Sequence, residues 1–157
     1  MNKGNFEDIS INNRSYHHKW LYVDSVADVE VTPEHPAHPI ESGLLAERDS
    51  GWRAAGPGTQ TIRIIFKHPQ PLRRIWLDFH EPEVERTQEY VLHWSPDGGQ
   101  SFQEIVRQQW NFSPHGSTRE TENHHVNLPA VTVIELRIIP DISREKAFAS
   151  LAQLRLT

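Results

Sequence analysis

The chain has no cysteine. Disulfides, thiolate metal sites and cysteine nucleophiles are therefore excluded. Small secreted domains often carry disulfides, so this absence leans towards a cytoplasmic protein. No stretch approaches the roughly 18 apolar residues that a membrane span needs. The opening residues, Met1-Asn2-Lys3-Gly4-Asn5-Phe6-Glu7-Asp8, carry no apolar segment of the signal-peptide kind and are expected to be frayed. Positive charge is also scarce. Sixteen Lys and Arg stand against 21 Asp and Glu, a net charge of −5. That balance excludes the basic stripe of a general nucleic-acid binder, and a basic helix lying on a membrane surface. Catalytic signatures are missing as well. There is no Gly-x-Ser-x-Gly, no phosphate-cradling glycine loop and no His-Glu-x-x-His, and no nucleophile–base pair stands out, so an enzyme is not the expected reading.

Strands are what the chain does have. A length of 157 residues suits one domain over 1–157 with a real hydrophobic core. Ile62, Ile64 and Phe66 share one face of Thr61–Phe66, and Ile75, Leu77 and Phe79 one face of Arg74–Phe79. Tyr90, Leu92 and Trp94 do the same in Glu89–Trp94. Pro96-Asp97-Gly98-Gly99 then turns the chain into Phe102–Val106, a strong hairpin signal. Thr132–Ile139 alternates Ile134, Leu136 and Ile138 and is stopped by Pro140, and Leu151–Leu156 closes the chain. Shorter strands are expected at Ile9-Ser10-Ile11, within Lys19–Val23 as a strand or turn, and at Asp28–Val31. Only 143–149 looks able to hold a helical turn. Short strands with frequent turn signals and almost no helix predict an all-β sandwich or barrel.

The connections are of two kinds. Brief ones, Lys67–Pro71, Ser95–Gly99 and Asn127–Ala130, consist of turn formers. Long ones, at roughly 32–59, 80–87, 107–122 and 140–149, are loaded with Trp, Arg, His and acids. Strands that each cross the domain once place alternate connections at opposite ends, so the four rich segments are expected at one pole, where function usually sits.

Gly51-Trp52-Arg53, Gly58–Phe66, Leu72-Arg73-Arg74-Ile75, Glu89–Gly98 and Ile134–Pro140 together resemble the galactose-binding-like, discoidin-type β-sandwich family, over about residues 40–157. That family includes the C-type domains of clotting factors V and VIII and bacterial carbohydrate-binding modules. The resemblance implies an eight-stranded jelly roll that binds sugars, phospholipid heads or proteins at one loop-bearing end, and leaves that choice open. Many members hold a structural Ca²⁺ with an Asp-Gly loop before the Trp and a Glu on the last strand. Here the loop reads Glu47-Arg48-Asp49-Ser50-Gly51-Trp52, and Gln153 stands about where the Glu would be. Ca²⁺ needs several carboxylate and carbonyl oxygens, so the set is one carboxylate short: no cofactor is expected, with a structural Ca²⁺ the open alternative.

Arg107-Gln108-Gln109-Trp110-Asn111 offers a ring for the apolar face of a sugar and amides for its hydroxyls. Alternatively, Trp110 plugs the end of the core. Trp52 reads as a packed structural residue, whereas Arg53 can clamp a carboxylate, a phosphate or paired hydroxyls. Arg86 either contacts ligand or pairs internally with Glu41 or Glu81. His35 and His38, with Glu41, invite a metal, but an extended proline-flanked segment would turn the two rings apart. The expected site comprises His38, Glu41, Arg53, Arg86, Arg107, Gln109, Trp110 and Asn111, with no catalytic or metal residue. Its ligand would be a carbohydrate or another small polar molecule, anionic if three arginines converge. The alternative is an intracellular protein–protein adaptor using the same surface.

Overall fold

The computed structural model describes residues 20–48 and 50–157. The expected frayed start, the strand at 9–11, Lys19 and Asp49 lie outside them. Among the described residues come, in chain order, two helical turns and eight strands: α1 (Val23–Val26), β1 (Ala27–Val31), α2 (Glu41–Leu44), β2 (Trp52–Pro57), β3 (Gln60–His80), β4 (Arg86–Ser95), β5 (Gln103–Phe112), β6 (Arg119–Ile139), β7 (Phe148–Leu151) and β8 (Gln153–Leu156). The helical turns fall at 23–26 and 41–44, not at 143–149, where turns lead into β7 instead.

Strands β3 and β6, of 21 residues each, organise the molecule. They pair antiparallel from Gln60↔Ile138 to His80↔Arg119. The turns expected at 67–71 and 127–130 are therefore not hairpin ends. They are bends in one long ribbon, and the ladder shifts register between Ile65 and Arg74. Pro69, Pro71 and Pro129 bring no N–H to a ladder, so the bend sits where pairing loses least. The bend still reverses direction, as a turn would. It folds the ribbon over itself, so that Phe79 near one end lies 5.3 Å from Tyr90, which pairs with Ile138 at the other.

The first half of β3 and the second half of β6 form one sheet with β1, β4 and β5, in the order β1-β3-β6-β4-β5. The second half of β3 lies between β8 and the first half of β6. Antiparallel β2 and β7 form a separate two-stranded piece. Ile62, Ile64 and Phe66 meet Leu77, Phe79, Leu154 and Leu156 in one buried cluster. Each such side chain contributes roughly 1.5–3 kcal/mol through burial. Trp52 is 1% exposed within that cluster, the packed position expected of it. The architecture is an eight-stranded, all-β jelly-roll sandwich.

Candidate functional site

Backbone pairing ties the rich segments together at one pole. Gly58 N–H donates to Ala147 O at 3.0 Å, Glu81 N–H to Thr118 O at 2.8 Å and Ile142 N–H to Thr87 O at 2.9 Å. Between them lies a cavity of about 220 Å³. Arg53 enters from β2, Glu83, Val84 and Glu85 from the loop after β3, and Arg144, Lys146 and Phe148 from the segment running into β7.

The floor of this cavity is built from buried polar groups. Arg86, the first residue of β4, is 3% exposed. Its Nε donates to Glu81 Oε1 at 2.9 Å and its Nη1 to Pro140 O at 2.8 Å and Gln88 Oε1 at 3.1 Å. Its guanidinium stacks 4.8 Å from the Phe112 ring. Glu81 Oε2 accepts the N–H groups of Glu83 and Val84, both at 3.2 Å, which fixes the loop. Burial alone would raise the Glu81 carboxyl, but the bonds from Arg86 and those two amides hold it below its ordinary value. Asp141 is also held low against burial, by the N–H and hydroxyl of Ser143.

The rim is different. Arg53, Arg144 and Lys146 are exposed, and among the described residues none of them is bonded to a carboxylate. Glu83 and Glu85 are exposed as well. Val84, Ile142 and Phe148, exposed by 49%, 48% and 40%, are the large apolar side chains left in solvent among the described residues, and all three stand at this end. Phe148 is the exposed aromatic of the set.

The expected site residues separate. Arg53 and Arg86 both line the cavity, Arg86 as the internal partner of Glu81. The other six do not line it. Residues 107–112 are not loop but the end of β5, so neighbours face opposite ways. Arg107 pairs with Glu89 and Glu104 at 2.9 Å on the outer face. Gln109 donates to Glu89 at 3.0 Å, and Asn111 accepts from Thr87 at 2.7 Å, on that same face. Trp110 turns inward against the core, with Nε1 donating to Ser117 Oγ at 3.1 Å. A shallow, open depression of about 340 Å³ lies beside Gln109, Trp110 and Asn111, and among the described residues its lining comes from β5.

His38 is half-buried, its Nδ1 3.3 Å from Ser50 O, and Glu41 begins α2. The rings of His35 and His38 do not diverge. A turn closed by His38 N–H donating to His35 O brings their centroids to 5.4 Å. No group of three or more His, Asp or Glu among the described residues is arranged to hold a metal.

One polar cluster escaped the sequence reading. Glu120, Glu122 and His124 share the inward face of the first half of β6. Gln88 Nε2 donates to the fully buried Glu120 Oε1 at 3.2 Å, and the Tyr90 hydroxyl lies 2.6 Å from His124 Nε2. Burial, and then the neighbouring Glu122, push the Glu120 carboxyl up to about 8. Burial pushes His124 down. The i, i+2, i+4 spacing was visible; what hid the cluster was that 107–122 read as a loop.

No family model matches the chain, and no curated protein does. Solved structures do. The family 32 carbohydrate-binding module of Clostridium perfringens NanJ, in complex with galactose, superposes with a TM-score of 0.65 at 14% identity over 88% of this chain and 97% of that one. A family 32 module from a family 31 glycoside hydrolase of the same organism gives 0.64 at 15%, over 90% and 96%. The family 32 module of AlyQ, in complex with 4,5-unsaturated mannuronic acid, gives 0.61 at 14%, over 85% and 95%. The fold is that of the galactose-binding-like, discoidin-type β-sandwich.

Proposed function

We propose that this protein is a non-catalytic carbohydrate-binding module whose ligand enters the loop-end cavity and stacks on Phe148. The observation that carries this reading is an exposed aromatic at the mouth of a cavity whose rim cations form no hydrogen bond to a carboxylate among the described residues. A sugar ring has an apolar face for Phe148 and hydroxyls for Arg53, Arg144, Lys146, Glu83 and Glu85. The cavity, about 220 Å³, falls below the usual range for small-molecule sites, roughly 300–1,000 Å³, which suits one sugar ring. Family 32 modules of the same fold, including one in complex with galactose, support a carbohydrate ligand in general.

The charge balance bears on ligand type. Arg53, Arg86, Arg144 and Lys146 face Glu81, Glu83, Glu85 and Asp141, four cations against four carboxylates. Of the three arginines that suggested an anionic ligand, Arg86 and Arg107 are occupied by internal acids. A neutral sugar therefore fits better than an acidic one. Exposed Val84, Ile142 and Phe148 also support the second reading, an adaptor that docks a protein on the same rim.

Calorimetry with neutral and acidic monosaccharides is the test. Binding in the millimolar range is expected for a neutral sugar, weakened about tenfold or more by Phe148→Ala and unchanged by Trp110→Ala. No heat with any sugar, or weakening by Trp110→Ala alone, would sink the proposal.

A further inference from the structure

A second arginine is spent inside the molecule, and its partners are unlike those of Arg86. Arg155 of β8 is 7% exposed. No carboxylate among the described residues pairs with it. Its Nη1 donates to Gly43 O at 3.1 Å and Leu154 O at 2.8 Å, and its Nη2 to Leu45 O at 3.2 Å. Two of the three acceptors are backbone carbonyls at the end of α2, where the last carbonyls of a helical turn have no intrahelical donor. Such oxygens, converging on one buried positive charge, are the kind of donor set that otherwise holds a hard metal cation.

The segment they belong to is the 42–51 loop that leads into Trp52, the position at which discoidin-type relatives are expected to hold calcium. The described residues here do not fit that ion. A guanidinium is already bonded to the loop's carbonyls, and a divalent cation at the same oxygens would sit against a fixed positive charge. The strand side offers Gln153 and Arg155, neither of them a carboxylate. Guanidinium stays charged even when buried, and its planar fork reaches two carbonyls at once. Burial lowers the Arg155 pKa, but from a starting point so high that the charge remains.

We propose that Arg155 is a built-in cation that takes the place of a structural calcium ion, cross-linking the 42–51 loop to β8 through the carbonyls of Gly43 and Leu45. The loop has little room for another arrangement. A Cβ on Gly43 would stand 3.2 Å from Leu151 O, and one on Gly51, whose φ is +76°, would stand 3.1 Å from the same oxygen. Gly51 N–H donates to Ser42 O at 3.2 Å, and Arg53 N–H to His38 O at 3.1 Å. The loop therefore sets the root of β2, from which Arg53 reaches the cavity. This inference is independent of what the cavity binds.

The test joins two measurements on the full chain. The unaltered protein, stripped with a chelator and then returned to millimolar calcium, should melt at one temperature in both states and show no stoichiometric calcium heat. A rise of several degrees with calcium, or one-to-one binding, would overturn the proposal. Arg155→Met should lower the melting temperature on the order of 10 °C, because it leaves the buried Gly43 carbonyl without a donor and Leu45 O with the Arg48 N–H alone, and should speed hydrogen exchange at the Gly51 amide. Arg155→Lys, which keeps a charge but loses the fork, should fall between. If the Met variant does not fold, the Lys variant and the calcium arm still decide. An unchanged melting temperature in both variants would assign Arg155 no such role.

Discussion

The residues that looked most like ligand donors, the arginines, divide by what surrounds them. Arg86 has Glu81, Gln88 and Pro140 around it and Phe112 against its plane. Removing one partner from such a buried pair typically costs about 3–5 kcal/mol, because the other is left charged and unpaired. Arg86→Met should accordingly lower unfolding stability by that order, measured by denaturant titration, and Glu81→Gln should cost less in an Arg86→Met background than alone. Equal costs in both backgrounds would mean the two are not coupled. Arg53, by contrast, is exposed and unbonded to any described carboxylate, and its loss should leave stability within about 0.5 kcal/mol. The sequence offered Arg53 as a ligand clamp and Arg86 either as a ligand contact or as the internal partner of Glu41 or Glu81. Only the position of Glu81, five residues before Arg86 across a loop, distinguishes a structural ion pair from a free donor.

At the scale of elements, alternation was legible and strand limits were not. The cores of β3, β4 and β6 follow directly from Ile62/Ile64/Phe66, Tyr90/Leu92/Trp94 and Ile134/Leu136/Ile138. The end of β5 was not readable, because Arg107–Asn111 is polar enough to pass for loop. Cross-strand bonds to Thr87 and Glu89 make that polarity tolerable. Mistaking a strand for a loop put Trp110 beside Gln109 and Asn111, when the pleat sends it to the other side. It also concealed the inward face of β6.

That face makes a prediction with a definite sign. Glu120 holds its proton in the fold up to about 8, whereas in the unfolded chain it loses it near the ordinary value of 4.5. Between those values the folded state binds more protons, so this group's contribution to stability falls as pH rises, by at most about 1.4 kcal/mol per unit. Arg86, Gln88 and Tyr90 of β4 and Glu122 of β6 surround it and moderate the slope. Glu120→Gln should remove this component, gaining on the unaltered protein steadily from about pH 4.5 to 8. A stability difference independent of pH would show that Glu120 is already ionised in the fold.

At the scale of the whole molecule, the gathering of distant segments at one pole was inferred from the parity of connections, with hairpin turns assumed at 67–71 and 127–130. The turns are bends in a folded ribbon, yet each reverses the chain, so the count of reversals survives. What parity could not supply was which side chains reach the cavity. Arg144, Lys146 and Phe148 sit in a segment that, from composition, offered at most a helical turn, and Phe148 reaches the mouth from the start of β7, where it pairs with Pro57 of β2. The central claim is that ligand meets this protein at Phe148 and not at Trp110. The most direct measurement is a backbone-amide NMR titration with the sugar that calorimetry selects. Shifts confined to residues about 53, 81–86 and 141–148 are predicted, with 107–111 silent; shifts centred on 107–111, with 141–148 unmoved, would contradict the account.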